Sequence, residues 1–236
     1  MRALVLAAGE GRRLRPLTSF MPKPLVPVGG VPLIVRQIRA LAKAGVDEVV
    51  VNTAYGSRIL EALLGDGSDL GVKIRYSREG IVKEDALETL GGVVKALPLL
   101  EEPGEEAFIV VAADIATDYD YARLVEAARN LRADGPRAHL VLVENPVYHP
   151  EGDFALDADG RISTSGGEKK TFSSLGAYRY DLFEGLEPER AKLFPWLLGA
   201  AGPRGISGEV HQGWWANVGD PNQWLAACRR CGEAGC

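Results

Sequence analysis

Residues 1–24 read MRALVLAAGEGRRLRPLTSFMPKP, an apolar run that passes into a glycine-rich, arginine-bearing loop and closes on a lysine between two prolines. The apolar RALVLA segment is short, as for a strand buried on both faces of a sheet. Ala7, Ala8, Gly9, Glu10 and Gly11 follow at once. Small residues at a strand end let backbone N–H groups approach phosphate oxygens closely. No Gly-Lys-Ser/Thr follows Gly11, which excludes a Walker loop, and Leu14 stands where a dinucleotide fingerprint needs its third glycine. The charge must come instead from Arg13, whose guanidinium forks onto phosphate oxygens, and from Lys23, a point charge on the stiff Pro22–Pro24 segment.

Outward from that loop, EVVVNT at 48–53, VKIRYS at 72–77 and AFIVVAA at 107–113 repeat the buried-strand pattern. Leu33, Ile34, Ile38 and Leu41 recur at helical spacing, as do Ile59, Leu60, Leu63 and Leu64, and residues 118–131 form a further helical segment. Strand then helix, repeated, predicts an α/β fold with a Rossmann-like, mostly parallel sheet flanked by helices. After about Pro136 the alternation weakens. AHLVLVE and TFSSLGAYRYD read as strands, while 145–170 is rich in turn formers and is expected to wall the strand ends as a smaller mixed β region. The expected organisation is one domain over 1–236, with a regularly alternating half to about 135 and a mixed half beyond it.

With 46% hydrophobic residues over 236 positions, the chain can bury a full core. A net charge of -5 and a pI near 5.4 argue against a dedicated nucleic-acid binder. No run approaches the roughly 20 apolar residues of a membrane span, and no cleavable signal follows Met1, so a cytoplasmic location is expected. The three cysteines, Cys228, Cys231 and Cys236, crowd the C-terminal end and read as a frayed tail with exposed thiols. His139, His149 and His211 are scattered and suggest neither a dyad nor a metal set.

LAAGEGRRLRPLT followed by PKPLVPVGGVPLI resembles the signature of the sugar-1-phosphate nucleotidylyltransferases. HLVLVENPVYHPEGDFAL, TFSSLGAYRYDLFEGL, ISGE and WWANVGDP are similar, in order and spacing, to short bacterial members that uridylylate N-acetylmuramate α-1-phosphate in peptidoglycan recycling. The resemblance implies the nucleotide-diphospho-sugar transferase fold, with UTP and a sugar-1-phosphate as partners and Mg2+ as cofactor. It implies that Arg13 and Lys23 are catalytic, gripping phosphates and neutralising their charge. Asp114 matches the family's metal-binding aspartate. Asn217, in WANVG, stands where a second metal-binding aspartate is usual, and Asn keeps a carbonyl oxygen but gives up a negative charge.

For the nucleotide, the resemblance points to Ala7, Ala8, Gly9 and Gly11, and to Glu88, Thr89 and Gly91 in LETLGG, where Leu90 replaces a usual glycine or alanine; Asn52, at the end of EVVVN, is a further candidate from its place at a strand end. For the sugar it points to Gly152 and Asp153 in EGDF and to Glu168 and Lys169 in GGEKKT. Lys192, Trp214 and Trp215 are further candidates for the pocket wall. Trp196 and Trp224 read as core. Asp118 and Asp120 read as helix caps, as does Asp220 before Pro221, and residues 81–85 read as a solvated loop tip. Two other readings stay open: transfer to glucose-, mannose- or heptose-1-phosphate, and a non-catalytic nucleotide-sugar sensor.

Overall fold

The computed structural model describes residues 1–54, 56–80 and 85–234. Its first half runs β1 (Arg2–Leu6), a hairpin of β2 (Pro27–Val28) and β3 (Val31–Pro32), α1 (Leu33–Lys43), β4 (Glu48–Thr53), α2 (Ser57–Leu64), β5 (Lys73–Arg78), α3 (Glu88–Leu100), β6 (Ala107–Ala112), β7 (Ile115–Thr117) and α4 (Tyr121–Arg129). The second half adds β8 (Ala138–Val143), β9 (Phe154–Leu156), β10 (Ile162–Ser163), β11 (Lys169–Arg179), α5 (Trp196–Ala200), β12 (Ile206–His211), β13 (Trp215–Asn217) and α6 (Pro221–Ala234).

β1 lies between β4 and β6, and β5 lies beyond β4, all in parallel. The direction changes at β11, which runs antiparallel against both β6 and β8, while β12 closes the far edge parallel to β8. β9 and β10 extend the start of β11 as the expected mixed region. Side chains alternate across β1: Ala3 and Val5 join a core under α1, α2 and α4, while Leu4 joins a second core with α3, Phe108 and Leu197. Of the Ile59, Leu60, Leu63 and Leu64 set in α2, Leu60 and Leu64 are buried, and Ile59 and Leu63 face solvent.

Asp120 and Asp220 cap α4 and α6, accepting the Ala122 N–H at 3.1 Å and the Asn222 N–H at 2.9 Å. Asp118 caps nothing; its carboxylate meets His211 Nε2 at 2.8 Å. The expected frayed tail is instead a packed helix. Cys231 is buried where α6 covers the Val28 and Leu33 segment, and Trp224 Nε1 donates to the Pro27 carbonyl at 2.8 Å. Cys236 and most of the 81–85 loop lie outside the described residues. No described helix is long and apolar enough to cross a membrane.

Candidate active site

The strands β1 and β6 end at a cleft of about 640 Å³, lined on one side by Gly9, Gly11, Arg13 and Lys23 and on another by Phe172, Ser174, Lys192 and Phe194. A second cavity of about 530 Å³ opens beside it toward β4 and β5. Leu6, Gly9, Arg12, Glu88 and Thr89 line both. This is the carboxyl end of the parallel strands, where open α/β sheets take their ligands.

The glycines of the first loop differ in purpose. Gly11 has φ +70°, and a Cβ there would lie 2.7 Å from the Lys23 Cβ, so glycine lets Lys23 pass beside the loop. At Gly9 a Cβ would meet nothing within 4 Å, leaving the backbone open to the cleft. Ala7 lines the main cleft and Ala8 the second cavity. Arg12 Nε is held by Glu10 Oε2 at 2.6 Å, whereas Arg13 has no ion-pair partner among the described residues and extends to Gly219.

Asp114 follows β6 directly, and its carboxylate takes the Lys23 ammonium in a short ion pair. The β7–β13 pairing sets Asn217 opposite Ile115, and the Val218 N–H donates to the Asp114 carbonyl at 2.9 Å. Residues 103 apart in the sequence (217 − 114) thereby share one wall of the cleft. Gln37 fastens β7 from α1, donating to the Ile115 carbonyl at 2.6 Å. Asn217 Oδ1 is buried and has no hydrogen-bond partner among the described residues, a position that costs free energy unless another group engages it. A hard cation fits there, since Asp114 and Asn217 offer oxygen donors. Among the described residues no three His, Cys, Asp or Glu gather into a metal cage.

On the nucleotide side, Glu88 begins α3 at φ +60°, a rare backbone state for a residue with a side chain. Its carboxylate lies 3.5 Å from Arg190, which lines the second cavity. Asn52 also lines that cavity, but its amide is engaged by Ala7 and Glu79. Gly91 is not at the cleft: it admits the Glu189 carbonyl of a segment docked on α3. Leu90 points into the core beside Val93 and lines neither cavity.

None of the four sugar-side residues lines either cavity. Asp153 spends its oxygens on the Phe172 N–H at 2.8 Å and His149 Nε2 at 3.0 Å. Gly152, at φ +61°, makes room for the Lys169 carbonyl, and Glu168 is an exposed partner of Lys170. The EGDF segment acts from behind: Asp153 holds the backbone of Phe172, and Phe154 packs on Phe194 with ring centroids 5.0 Å apart. The tryptophans also turn away; Trp214 packs in the α6 core, and Trp215 Nε1 donates to the Ser173 carbonyl at 3.0 Å.

That bond secures a β-bulge in β11, where the register with β8 shifts between Phe172 and Gly176 and Ser174 takes φ +64°. The bulge re-aims Ser174 into the cleft. Sequence reading missed Phe172 and Ser174 because alternation along a strand carries no sign of a bulge, and Phe194 because it lies on the irregular segment leading into α5. It also missed Tyr148, which hydrogen-bonds the Asn217 backbone; burial and the nearby Asp220 and Asp114 push its phenol above the usual tyrosine range, against Arg13 and that hydrogen bond.

The nucleotidyl transferase family model matches residues 2–163. N-Acetylmuramate α-1-phosphate uridylyltransferase of Neisseria meningitidis is 45% identical over 93% of this chain and 93% of its own. The Caulobacter vibrioides protein of the same name is 34% identical over 98% and 97%. Mannose-1-phosphate guanylyltransferase of Mycobacterium tuberculosis is 31% identical over 94% of this chain, which spans 62% of that longer protein. In fold, a putative glucose-1-phosphate thymidylyltransferase from Bacillus anthracis superposes with a TM-score of 0.81 at 19% identity, covering 98% of this chain and 94% of its own. HddC from Yersinia pseudotuberculosis, solved with GMP-PN, gives 0.76 at 19% over 97% and 98%. Both structures share the helix-flanked mixed sheet of nucleotide-diphospho-sugar transferases. A family match that begins in β1 and runs through β10, joined to relatives alike along nearly their whole length, decides the matter: the chain is a member of the nucleotidyl transferase family.

Proposed function

We propose that this enzyme transfers UMP from UTP to N-acetylmuramate α-1-phosphate, giving UDP-N-acetylmuramate and pyrophosphate, a step that serves peptidoglycan recycling. The observation that carries this reading is near-full-length similarity to two relatives bearing that name, at 45% and 34% identity. The two-part cavity supports it, with the base and ribose on the β4 side and the sugar phosphate between Lys23 and the Phe172–Phe194 wall.

In the reaction an oxygen of the sugar-1-phosphate attacks the α-phosphorus of UTP, and the bond to the bridging oxygen of the leaving pyrophosphate breaks. Charge is spread over phosphate oxygens throughout, so positioning and electrostatics dominate. The open backbone at Gly9 lets the triphosphate come close, and Arg13, without an internal carboxylate, offers its guanidinium to it. Lys23 places its ammonium on the phosphate side of Asp114. Asp114 and Asn217 would hold Mg2+, which when bound neutralises phosphate charge. On the sugar side, Phe172 and Phe194 present apolar faces, and Lys192, with no ion-pair partner among the described residues, suits the carboxylate of the lactyl ether.

Pyrophosphate release across a panel of triphosphates and sugar-1-phosphates tests the reading. UTP with N-acetylmuramate α-1-phosphate should give the highest kcat/KM; preference for a neutral hexose-1-phosphate or another base would redirect it within the family.

A further inference from the structure

Asn52 closes β4 with an amide used on both sides. Its Oδ1 accepts the Ala7 N–H at 2.6 Å, and its Nδ2 donates to Glu79 Oε1 at 2.5 Å. The second carboxylate oxygen, Glu79 Oε2, accepts the Leu87 N–H at 2.8 Å. A continuous run of hydrogen bonds, two of them buried and the last part-buried, thus joins the first loop, through the ends of β4 and β5, to Leu87, directly before Glu88 and Thr89 at the start of α3. Glu79 is 8% exposed and lines the second cavity. A Cβ at Gly92 would lie 2.5 Å from Glu79 Oε1 and 2.9 Å from Asn52 Nδ2, so the second glycine of LETLGG makes space for this network.

We infer that Glu79 is a positioning residue for the nucleotide: with Asn52 as its bridge, it sets the spacing between the Ala7–Gly9 loop and the Glu88–Thr89 turn, and so the width of the cavity that reads the base. This rests on the reading above that the cavity takes a nucleoside triphosphate. Both tied points are backbone N–H groups: Ala7 lines the main cleft, and Leu87 immediately precedes Glu88 and Thr89, which line both cavities. A buried network with one member unpaired is strained and loose, whereas a fully paired one is rigid. Loss of rigidity here affects nucleotide affinity and base discrimination, because the transfer chemistry sits at Arg13 and Lys23 in the adjoining cleft.

An exchange of roles between the partners tests the inference. Glu79→Gln removes one acceptor and turns a donor toward the Asn52 donor; Asn52→Asp sets two carboxylates against each other. In Asn52→Asp/Glu79→Gln the new carboxylate at 52 accepts from Ala7 and from the new amide at 79, whose oxygen accepts from Leu87. Every hydrogen bond is restored with donor and acceptor interchanged. Each single variant should raise KM for UTP about tenfold and narrow the preference for UTP over CTP, with kcat within about twofold of wild type. The double variant should recover both quantities.

A merely structural role would lower the melting temperature and leave KM and base preference alone; that result overturns the inference, as does a folded double variant that keeps the raised KM. If neither single variant folds, the double variant decides by its KM alone. Absence of wild-type turnover with UTP fails the substrate reading instead, and UTP titration calorimetry on the same variants then carries the comparison.

Discussion

The Lys23 ammonium rests on the Asp114 carboxylate, tying the loop after β1 to the end of β6 across the cleft. With 13% and 28% of their side chains exposed, the two are shielded from full solvent screening while remaining open to ligand. The same pair holds the cation proposed to face phosphate and the carboxylate proposed to face metal.

Removing either member should abolish rate before fold. Asp114→Asn and Lys23→Met are each expected to lower kcat about a hundred- to a thousandfold. Circular dichroism should stay native, because each remaining partner has a path to solvent. Rates near wild type in both would remove the phosphate roles assigned to this pair.

Asn217→Asp should tighten metal dependence. The substitution sets a second carboxylate beside Asp114, which costs stability without a cation and helps with one. The half-saturating Mg2+ concentration for pyrophosphate release is expected to fall about tenfold, and the melting temperature in chelator to drop below that of wild type. An unchanged magnesium titration would take position 217 out of the metal site.

Lys192→Gln should act on the sugar alone. A charge-assisted contact with a carboxylate contributes about 1.5–3 kcal/mol, so KM for N-acetylmuramate α-1-phosphate should rise roughly ten- to a hundredfold. KM for UTP should stay constant, as should the weak activity on a sugar-1-phosphate lacking the acid. Equal losses on both sugars would show that Lys192 does not read the carboxylate.

Away from the cleft, Glu209 couples stability to pH. Burial by itself raises its carboxyl, but His139, the Tyr119 hydroxyl and Arg123 hold it down to about 2. A depressed carboxylate stabilises the fold above its unfolded value and loses that contribution as pH falls through the folded one. Wild type should therefore lose on the order of 3 kcal/mol between about pH 5 and pH 2 from this group. Glu209→Gln should be destabilised at pH 7, with the difference from wild type shrinking over that window in urea unfolding. A pH-independent difference would locate the effect in packing.

How far the sequence reaches differs from element to element. The buried strands 48–53 and 107–113 were legible because every residue faces a helix layer, and Gly11 and Lys23 because positive φ and prolines mark a built loop. Of the wall facing Arg13 and Lys23, Lys192 alone was legible. EGDF drew attention through its resemblance, yet its residues face the back of β11, and the groups in the cleft depend on a bulge fixed by Trp215, distant in sequence. LETLGG showed a need for close approach but not what approaches: a carbonyl of residue 189 at Gly91, and the Glu79–Asn52 pair at Gly92.

The sequence by itself determined the α/β architecture, the glycine-rich loop after β1 and the place of Asp114 near a strand end, since each follows from local periodicity and backbone sterics. Only the tertiary structure decided that Asn217 stands beside Asp114 with its oxygen unpaired, that Asn52 is a bridge within the wall, and that Phe172 and Ser174 face the cleft. Those facts depend on strand register and on partners far apart in the chain, and no local pattern of residues encodes them.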